Sequence, residues 1–459
     1  MKRVILLGLI ISSTLLAQSH YEASASVESK GGHSVNGKSL VDDISDVYNF
    51  PAQVAETPDV AQGTVVFDPT DPSVTFMQGS AFVVKALTDK ISVGLVFGKG
   101  SAVDASGMST LLGTGAVAGV ISQINGVLPG YNFTGVVTPS NAAHFLLGLK
   151  LGSDLKLGLD LYREASNASS KDHDVTLNVT NQKRIVDEEM FVKYGALGIN
   201  AGIDMKLGDI SIKGVAGFAS LGFNAENHEF GTDYDNSKLP DITNIIETES
   251  GLYIPATAKA SMSMGAHKIT GGIDFLMASH AYIGKHTDIT GAVTTTTEEK
   301  SNMYSLMSIG AGFLDEMAVG ENTRVYASLS VNRQSTTSTP PDSITRTDPE
   351  ITAYDITMPK TSVGVEHRIN NLWKFDALLI RAGGFKTYGW TSGYSEGGES
   401  IQEDSDYPSS VPFVWTTGIG FVMGKVNLDL TIRPDRWNGI YLVSGKGPYG
   451  GTVTMTYNY

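Results

Sequence analysis

The chain contains no cysteine, which excludes disulfide staples, thiolate metal centres and a lipid-modified N-terminal Cys. That absence also suits an oxidising envelope compartment, where a stray thiol is a liability. Charge is sparse and unbalanced. Only 18% of the residues are Asp, Glu, Lys or Arg, and they sum to a formal net charge of -15. Without clustered Lys and Arg there is nothing from which to build a phosphate-backbone patch, so no nucleic-acid partner is expected. Long apolar runs are missing too. The stretch from Val4 to Leu16 is too short to cross a bilayer comfortably as a helix. There is no H-E-x-x-H pair and no G-x-S-x-G elbow. The histidines, including His33, His144, His228, His267, His280 and His367, are scattered without a metal-ligand spacing. No cofactor and no metal are expected.

What the chain has instead is glycine, 51 residues of it, set between short alternating runs. Lys2 and Arg3 precede the apolar Val4–Leu16, and Ala17 supplies a small residue for cleavage before Gln18. Residues 1–17 therefore read as a signal peptide. Residues 18–61 are rich in Ser, Gly and Asp and show little alternation. From residue 62 to 459 the pattern changes. In Lys425 to Arg433, Val426, Leu428, Leu430 and Ile432 share one face and Asn427, Asp429, Thr431 and Arg433 the other. In Leu155 to Tyr162, Leu155, Leu157, Leu159 and Leu161 oppose Lys156, Gly158, Asp160 and Tyr162. Extended backbone puts such rows on opposite faces of a strand. If the apolar rows face lipid, the charged rows must face an enclosed lumen, because lipid cannot solvate them. The stretch Gly451 to Tyr459 alternates in the same way, with Val453, Met455, Tyr457 and Tyr459 on one face.

Connections alternate as well. Tight turns are expected at Thr88 to Lys90, Gly152 to Asp154, Gly208 to Asp209, Gly265 to Ala266, Asn370 to Asn371 and Gly424 to Lys425. Between them lie long polar stretches, read as loops: Gly100 to Ser140, Glu164 to Glu188, Asn224 to Ile254, His280 to Ser301, Gln334 to Thr352 and Thr391 to Ser410. Short turn and long loop in alternation is the layout of a barrel with periplasmic turns on one rim and extracellular loops on the other. The expected fold is all-β: an antiparallel transmembrane β-barrel of about 16 strands, with 14 as the alternative, and an N-terminal plug in its lumen. A barrel this wide encloses more space than side chains fill, and a polar segment suits the remainder. The alternation of Trp373, Phe375, Ala377 and Leu379 would bring Arg381 onto their face, which predicts a bulge or the membrane rim there.

Other signals weigh less. Gly32, Gly37, Lys38 and Ser39 fit G-x-x-x-x-G-K-S, but neither the strand before nor the helix after that a phosphate loop requires is legible. Asp233, Asp235, Asp241, Glu247 and Glu249 form an acidic stretch without calcium-loop spacing, so it reads as solvated surface. Val117, Ile121, Ile124 and Leu128 would share one face of a short amphipathic helix, packing over the barrel mouth or forming an apolar lip. His144 and His367 are the strand-borne residues a barrel lipid hydrolase would use, weighed against ordinary lumen or rim histidines.

The stretch Gly31 to Val54, GGHSVNGKSLVDDISDVYNFPAQV, resembles the N-terminal plug of the long-chain fatty-acid outer-membrane transporter (FadL-type) family. Asp42 and Asp43 match that family's paired acids, and Pro51 and Ala52 match the last two residues of its Asn-Pro-Ala turn, with Phe50 in place of the Asn. The closing strand, with Tyr457 and Tyr459, resembles the C-terminal assembly signal of bacterial outer-membrane barrels. These resemblances imply an outer-membrane channel for hydrophobic small molecules such as fatty acids. They imply a hatch built on Asp42, Asp43, Pro51 and Ala52, and lip contacts from Val117, Ile121 and Ile124. The implied partners are outer-membrane lipid, a hydrophobic ligand and the barrel-assembly machinery. A barrel that anchors envelope or secreted proteins is the rival reading.

Overall fold

The computed structural model describes residues 26, 30, 33–35, 38–57, 59–67, 78–98, 141–177, 182–235, 237–290, 293–300, 303–339, 351–388, 390–396, 405–406, 413–433 and 450–459. The signal-peptide reading and the proposed lip residues Val117, Ile121 and Ile124 lie outside them.

Sixteen antiparallel staves close on themselves. They are β1 (Val60–Phe67), β2 (Gln78–Ala86), β3 (Ile91–Phe97), β4 (Asn141–Lys150), β5 (Leu155–Leu177), β6 (Lys183–Leu207), β7 (Ile210–Thr232) and β8 (Asp241–Met264). They continue with β9 (His267–Thr290), β10 (Met303–Val319, extended by Val293–Lys300), β11 (Thr323–Thr339) and β12 (Ile351–Asn370). The last four are β13 (Ala377–Thr387, extended by Trp390–Glu396), β14 (Val414–Met423, with Ser405–Asp406 above it), β15 (Val426–Arg433) and β16 (Gly450–Asn458). The ring is sealed where β16 pairs with β1, Thr454 opposite Thr64. The count is sixteen, not the alternative fourteen.

The alternation sorts side chains as expected. Leu95, Phe145, Leu161, Ile273, Phe313 and Leu329 point outward and are exposed, a belt too large and continuous for a surface in water. Their strand neighbours His144, Asp160, Asp274 and Ser330 point inward and are buried. With every wall strand paired on both sides, the apolar belt belongs in a bilayer, and the chain is a multi-pass outer-membrane barrel. Tight turns fall where they were expected, and Gly208 and Gly424 adopt the positive φ that such reversals need. A seventh turn, at Gly320, joins Val319 to Thr323. In the β12–β13 connection Trp373 is 90% exposed and has φ 59°. That residue and Phe375 therefore sit at the rim, before β13 starts, while Arg381 turns inward.

One expectation is corrected. Most of the polar stretches read as loops are paired strand. β5 and β6 run as one hairpin from Leu155 opposite Met205 to Leu177 opposite Lys183. β7, β8 and β9 also reach 23 or 24 residues, whereas about 9–11 cross a membrane. Beyond the bilayer both faces of a strand meet water, so no apolar row marks it, and Thr-rich sequence extends the ladder without the usual signature.

Candidate functional site in the lumen

Residues of the N-terminal segment lie inside the barrel. Asp43 accepts a hydrogen bond from the Ser45 amide at 2.9 Å and so caps the 3-10 turn Ile44–Tyr48. The Asn49 and Phe50 amides both donate to the Asp46 carbonyl, at 2.9 and 2.7 Å. Pro51 then opens a second 3-10 turn, Pro51–Ala55, where its fixed φ suits the first helical position. Two apolar clusters fasten these turns to the wall. Val47 and Val54 pack with Phe82, Val84, Val96 and Leu146, and Val35, Leu40 and Val41 pack with Leu314 and Tyr326.

The wall is shaped to receive this hatch. Gly148, Gly158 and Gly202 are direct cross-strand neighbours on β4, β5 and β6. A Cβ on Gly158 would lie 2.0 Å from the Ala52 nitrogen, and one on Gly148 2.6 Å from the Ala55 nitrogen. Gly272 and Gly312, paired on β9 and β10, give way in the same manner to Leu40 and Val35. At Gly148 and Gly158 hatch backbone therefore lies directly on wall backbone, an approach that any side chain there would block, while at Gly272 and Gly312 the side chains of Leu40 and Val35 fill the space.

Charge fixes the register. Asp42 accepts from Lys213 and Lys259, each at 3.0 Å, and from Lys268. The deeper Asp46 accepts from Lys259 at 2.7 Å and Lys213 at 3.2 Å. Burial disfavours charge on Asp42, yet Lys259, Lys213 and Lys268 together hold its carboxyl well below the usual carboxylate range. For Asp46, burial outweighs Lys259 and Lys213, and with Asp42 beside it the pKa is raised. The Lys259 ammonium also lies 5.3 Å from the Phe50 ring centroid. A second network joins Lys30 to Glu366 at 3.4 Å. Arg381 bridges Glu366, at 2.6 Å, and Asp429. Glu56 pairs with Lys156 at the edge of the hatch. His33 bonds Ser328 at 2.7 Å, and burial lowers its pKa to about 4.

Elsewhere the inner wall turns apolar. Ala196 pairs with Leu221, Tyr253 with Ala219 and Ala278, and Ala278 with Leu306. All of these side chains are buried and belong to the inward rows of β6 to β10. Hydrophobic side chains facing inward distinguish this lumen from a water-filled pore.

Of the residues singled out in sequence, Asp42, Asp43, Pro51 and Ala52 lie in the N-terminal segment inside the barrel, each with the contacts given above. Asp46, Lys213, Lys259 and Lys268 were missed. The lysines are single inward charges on separate strands, and only register unites them. The hydrolase candidates stay apart: His144 spends Nδ1 on Asp160, while exposed His367 bonds the Thr323 hydroxyl near the turn rim. Lys38 and Ser39 of the phosphate-loop pattern form a two-residue ladder with Ser34 and Val35, and the described residues 40–57 that follow hold two 3-10 turns and no α-helix. Among the described residues, no group of three or more His, Cys, Asp or Glu side chains converges on a metal position. In the acidic stretch, Asp241 pairs with Lys238 at 2.7 Å and Glu247 with Lys285.

No family model and no curated protein sequence matches the chain. Among solved structures it is similar to a Pseudomonas aeruginosa FadL homologue, with 12% identity over 96% of this chain and 99% of that one and a TM-score of 0.39. It is also similar to the Pseudomonas putida toluene transporter TodX, with 9% identity over 96% and 100% and a TM-score of 0.36. For the Ralstonia pickettii toluene transporter TbuX the values are 8%, 95%, 98% and 0.38. The sixteen-strand architecture rests on the chain's own strand pairing and not on these likenesses.

Proposed function

We propose that the chain is a FadL-type outer-membrane channel that passes hydrophobic small molecules, fatty acids among them, under the control of its N-terminal hatch. The observation that carries this reading is the inward apolar band of Leu221, Tyr253, Leu276 and Leu306 in a barrel whose lumen also holds a docked segment. A general porin needs wet, polar walls. Inward apolar side chains are useful to a solute that leaves water, and binding it there recovers about 25 cal/mol for each Å² of apolar surface covered. In this reading Val117, Ile121 and Ile124 form the outer lip that first takes the ligand. Asp42, Asp43, Pro51 and Ala52 hold the hatch until it shifts, and the strand ending in Tyr457 and Tyr459 engages the assembly machinery.

Glu56 and Lys156 face each other across the hatch seam, and the chain has no cysteine to interfere. A Glu56→Cys/Lys156→Cys pair, joined by a reducible bis-methanethiosulfonate linker that spans the reach of the two side chains it replaces, therefore locks hatch to wall. Uptake of a labelled fatty acid or alkane by vesicles carrying the protein should fall when the lock forms and recover on reduction. Uptake indifferent to the lock would rule out gating, and no uptake from the reduced protein would rule out the channel.

A further inference from the structure

Beside the hatch is a small polar cavity of about 30 Å³, lined by Lys38, Tyr48 and Asn49 of the hatch and by His144, Asp160, Asn200 and Thr257 of the wall. That is room for one or two water-sized groups. Its hydrogen bonding is fixed by Asp160. The carboxylate lies 3.0 and 3.1 Å from His144 Nδ1 and accepts from the Asn200 amide nitrogen at 3.0 Å. The Asp160 oxygens accept, so a neutral His144 holds its one proton on Nδ1, and Asn200 turns its NH₂ toward Asp160. Two acceptors are left over, the Nε2 lone pair of His144 and Oδ1 of Asn200. Both are buried, and neither meets a protein donor among the described residues. Asn200 takes its place because its cross-strand neighbour is Gly217, where a Cβ would lie 2.0 Å from Oδ1. The His144 ring, 94% buried as a residue, stacks on Tyr162 at 5.1 Å, and Tyr162 in turn has Gly198 beneath it.

Position gives these acceptors a use. His144 pairs with Tyr162, Tyr162 with Gly198, Gly198 with Ala219 and Ala219 with Tyr253. One cross-strand row thus runs from the polar cavity into the apolar band. We infer that His144 Nε2 and Asn200 Oδ1 form a hydroxyl-accepting subsite at the end of that band, which selects hydrophobic alcohols and phenols over the matching hydrocarbons. The shared chemistry is an O–H donor. Water supplies it while the hatch is seated, and the ligand's hydroxyl supplies it once the hatch yields. The inference rests on the channel reading above.

The probes are p-cresol and p-xylene, alike in shape and different in one hydroxyl. In vesicles carrying the full protein, p-cresol should enter in preference to p-xylene. Either His144→Phe or Asn200→Leu should reduce that ratio about tenfold, the size of one net hydrogen bond. His144→Gln, which restores an acceptor, should recover part of the preference. Histidine-selective ¹⁵N NMR of the detergent-solubilised wild type reads the subsite without transport: p-cresol should shift the His144 Nε2 resonance and p-xylene should not. A resonance that p-cresol leaves in place would mean that the site holds water only and would overturn the inference. So would equal entry of the two probes into wild type, or a ratio that the variants do not change. If neither probe enters while the resonance still responds to p-cresol, the channel reading fails and the subsite stands.

Discussion

Gly158 and Ala52 are in backbone contact: a methyl group on Gly158 would lie 2.0 Å from the Ala52 nitrogen and 2.1 Å from the Pro51 carbonyl carbon. Neither neighbour is the flexible end of a side chain, so the overlap cannot be relieved by a rotamer change. Gly158→Ala should expel the hatch from its bed, at a cost of about 1–3 kcal/mol to docking. Limited proteolysis of the hatch, read beside an intact heat-resistant barrel band, checks it. Gly271→Ala, on a position with open space around it, should leave the proteolysis pattern unchanged.

Lys259 is the most buried of the three lysines and pairs with both Asp42 and Asp46. Lys259→Met should weaken docking by about 1.5–3 kcal/mol, less than a wholly unpaired buried charge costs, because Lys213 still reaches both Asp42 and Asp46. Adding Asp46→Leu should recover part of the loss, since the carboxylate that has lost its nearer lysine goes too. A spin label on the hatch would report its mobility in all three proteins. Equal mobility in Lys259→Met and wild type would show that the ion cluster does not hold the hatch.

Acid should loosen the hatch through His33. Its pKa falls from 6.5 to about 4 on docking, so above pH 6.5 the ring is neutral whether docked or free. As pH falls from 6.5 toward 4 only the released hatch takes up the proton, and docking weakens by about 1.4 kcal/mol per unit. Asp46, whose pKa docking raises, works the other way, and Asp42 adds its own loss only below its free value of 3.8. The comparison that isolates His33 is therefore wild type against His33→Gln. The variant should hold its hatch more firmly than wild type at pH 4.5 relative to pH 7.5, by labelling of an engineered hatch cysteine.

How much of this was readable in advance depended on whether one element alone carried the signal. Leu155 to Tyr162 disclosed both its faces because lipid and lumen impose opposite demands on neighbouring residues. The upper end of the same strand, Asp174 to Leu177, did not, because both its faces are exposed and water on both sides imposes one demand. Asp42 and Asp43 were legible as a local pair, and Pro51 as a local constraint. Asp46 became important only when Lys213 and Lys259 met it from strands more than 160 positions away in the sequence. His144 stood out by residue type, but its partner Asp160 is set by the β4–β5 register, which no spacing rule supplies.

Arg381 ties β13 to β12 through Glu366 and to β15 through Asp429. Arg381→Met should lower the barrel's stability in urea by about 3–5 kcal/mol, as expected when one member of a buried charge network is removed. Arg381→Lys should restore only part, because a point charge cannot bond both carboxylates in the fork geometry. Equal midpoints for Arg381→Lys and wild type would count against the fork.

The seam at which β16 meets β1 orders the events of assembly. The strand joined to the hatch is the one that must wait for Gly450–Asn458 before its free edge is covered. A hatch that has already settled on β4, β5 and β6 is enclosed when that edge zips shut, whereas one still outside would have to thread a finished ring. The protein is thus put together like a ship built around its cargo, and a defect in hatch docking should be felt first as slow or faulty closure during biogenesis.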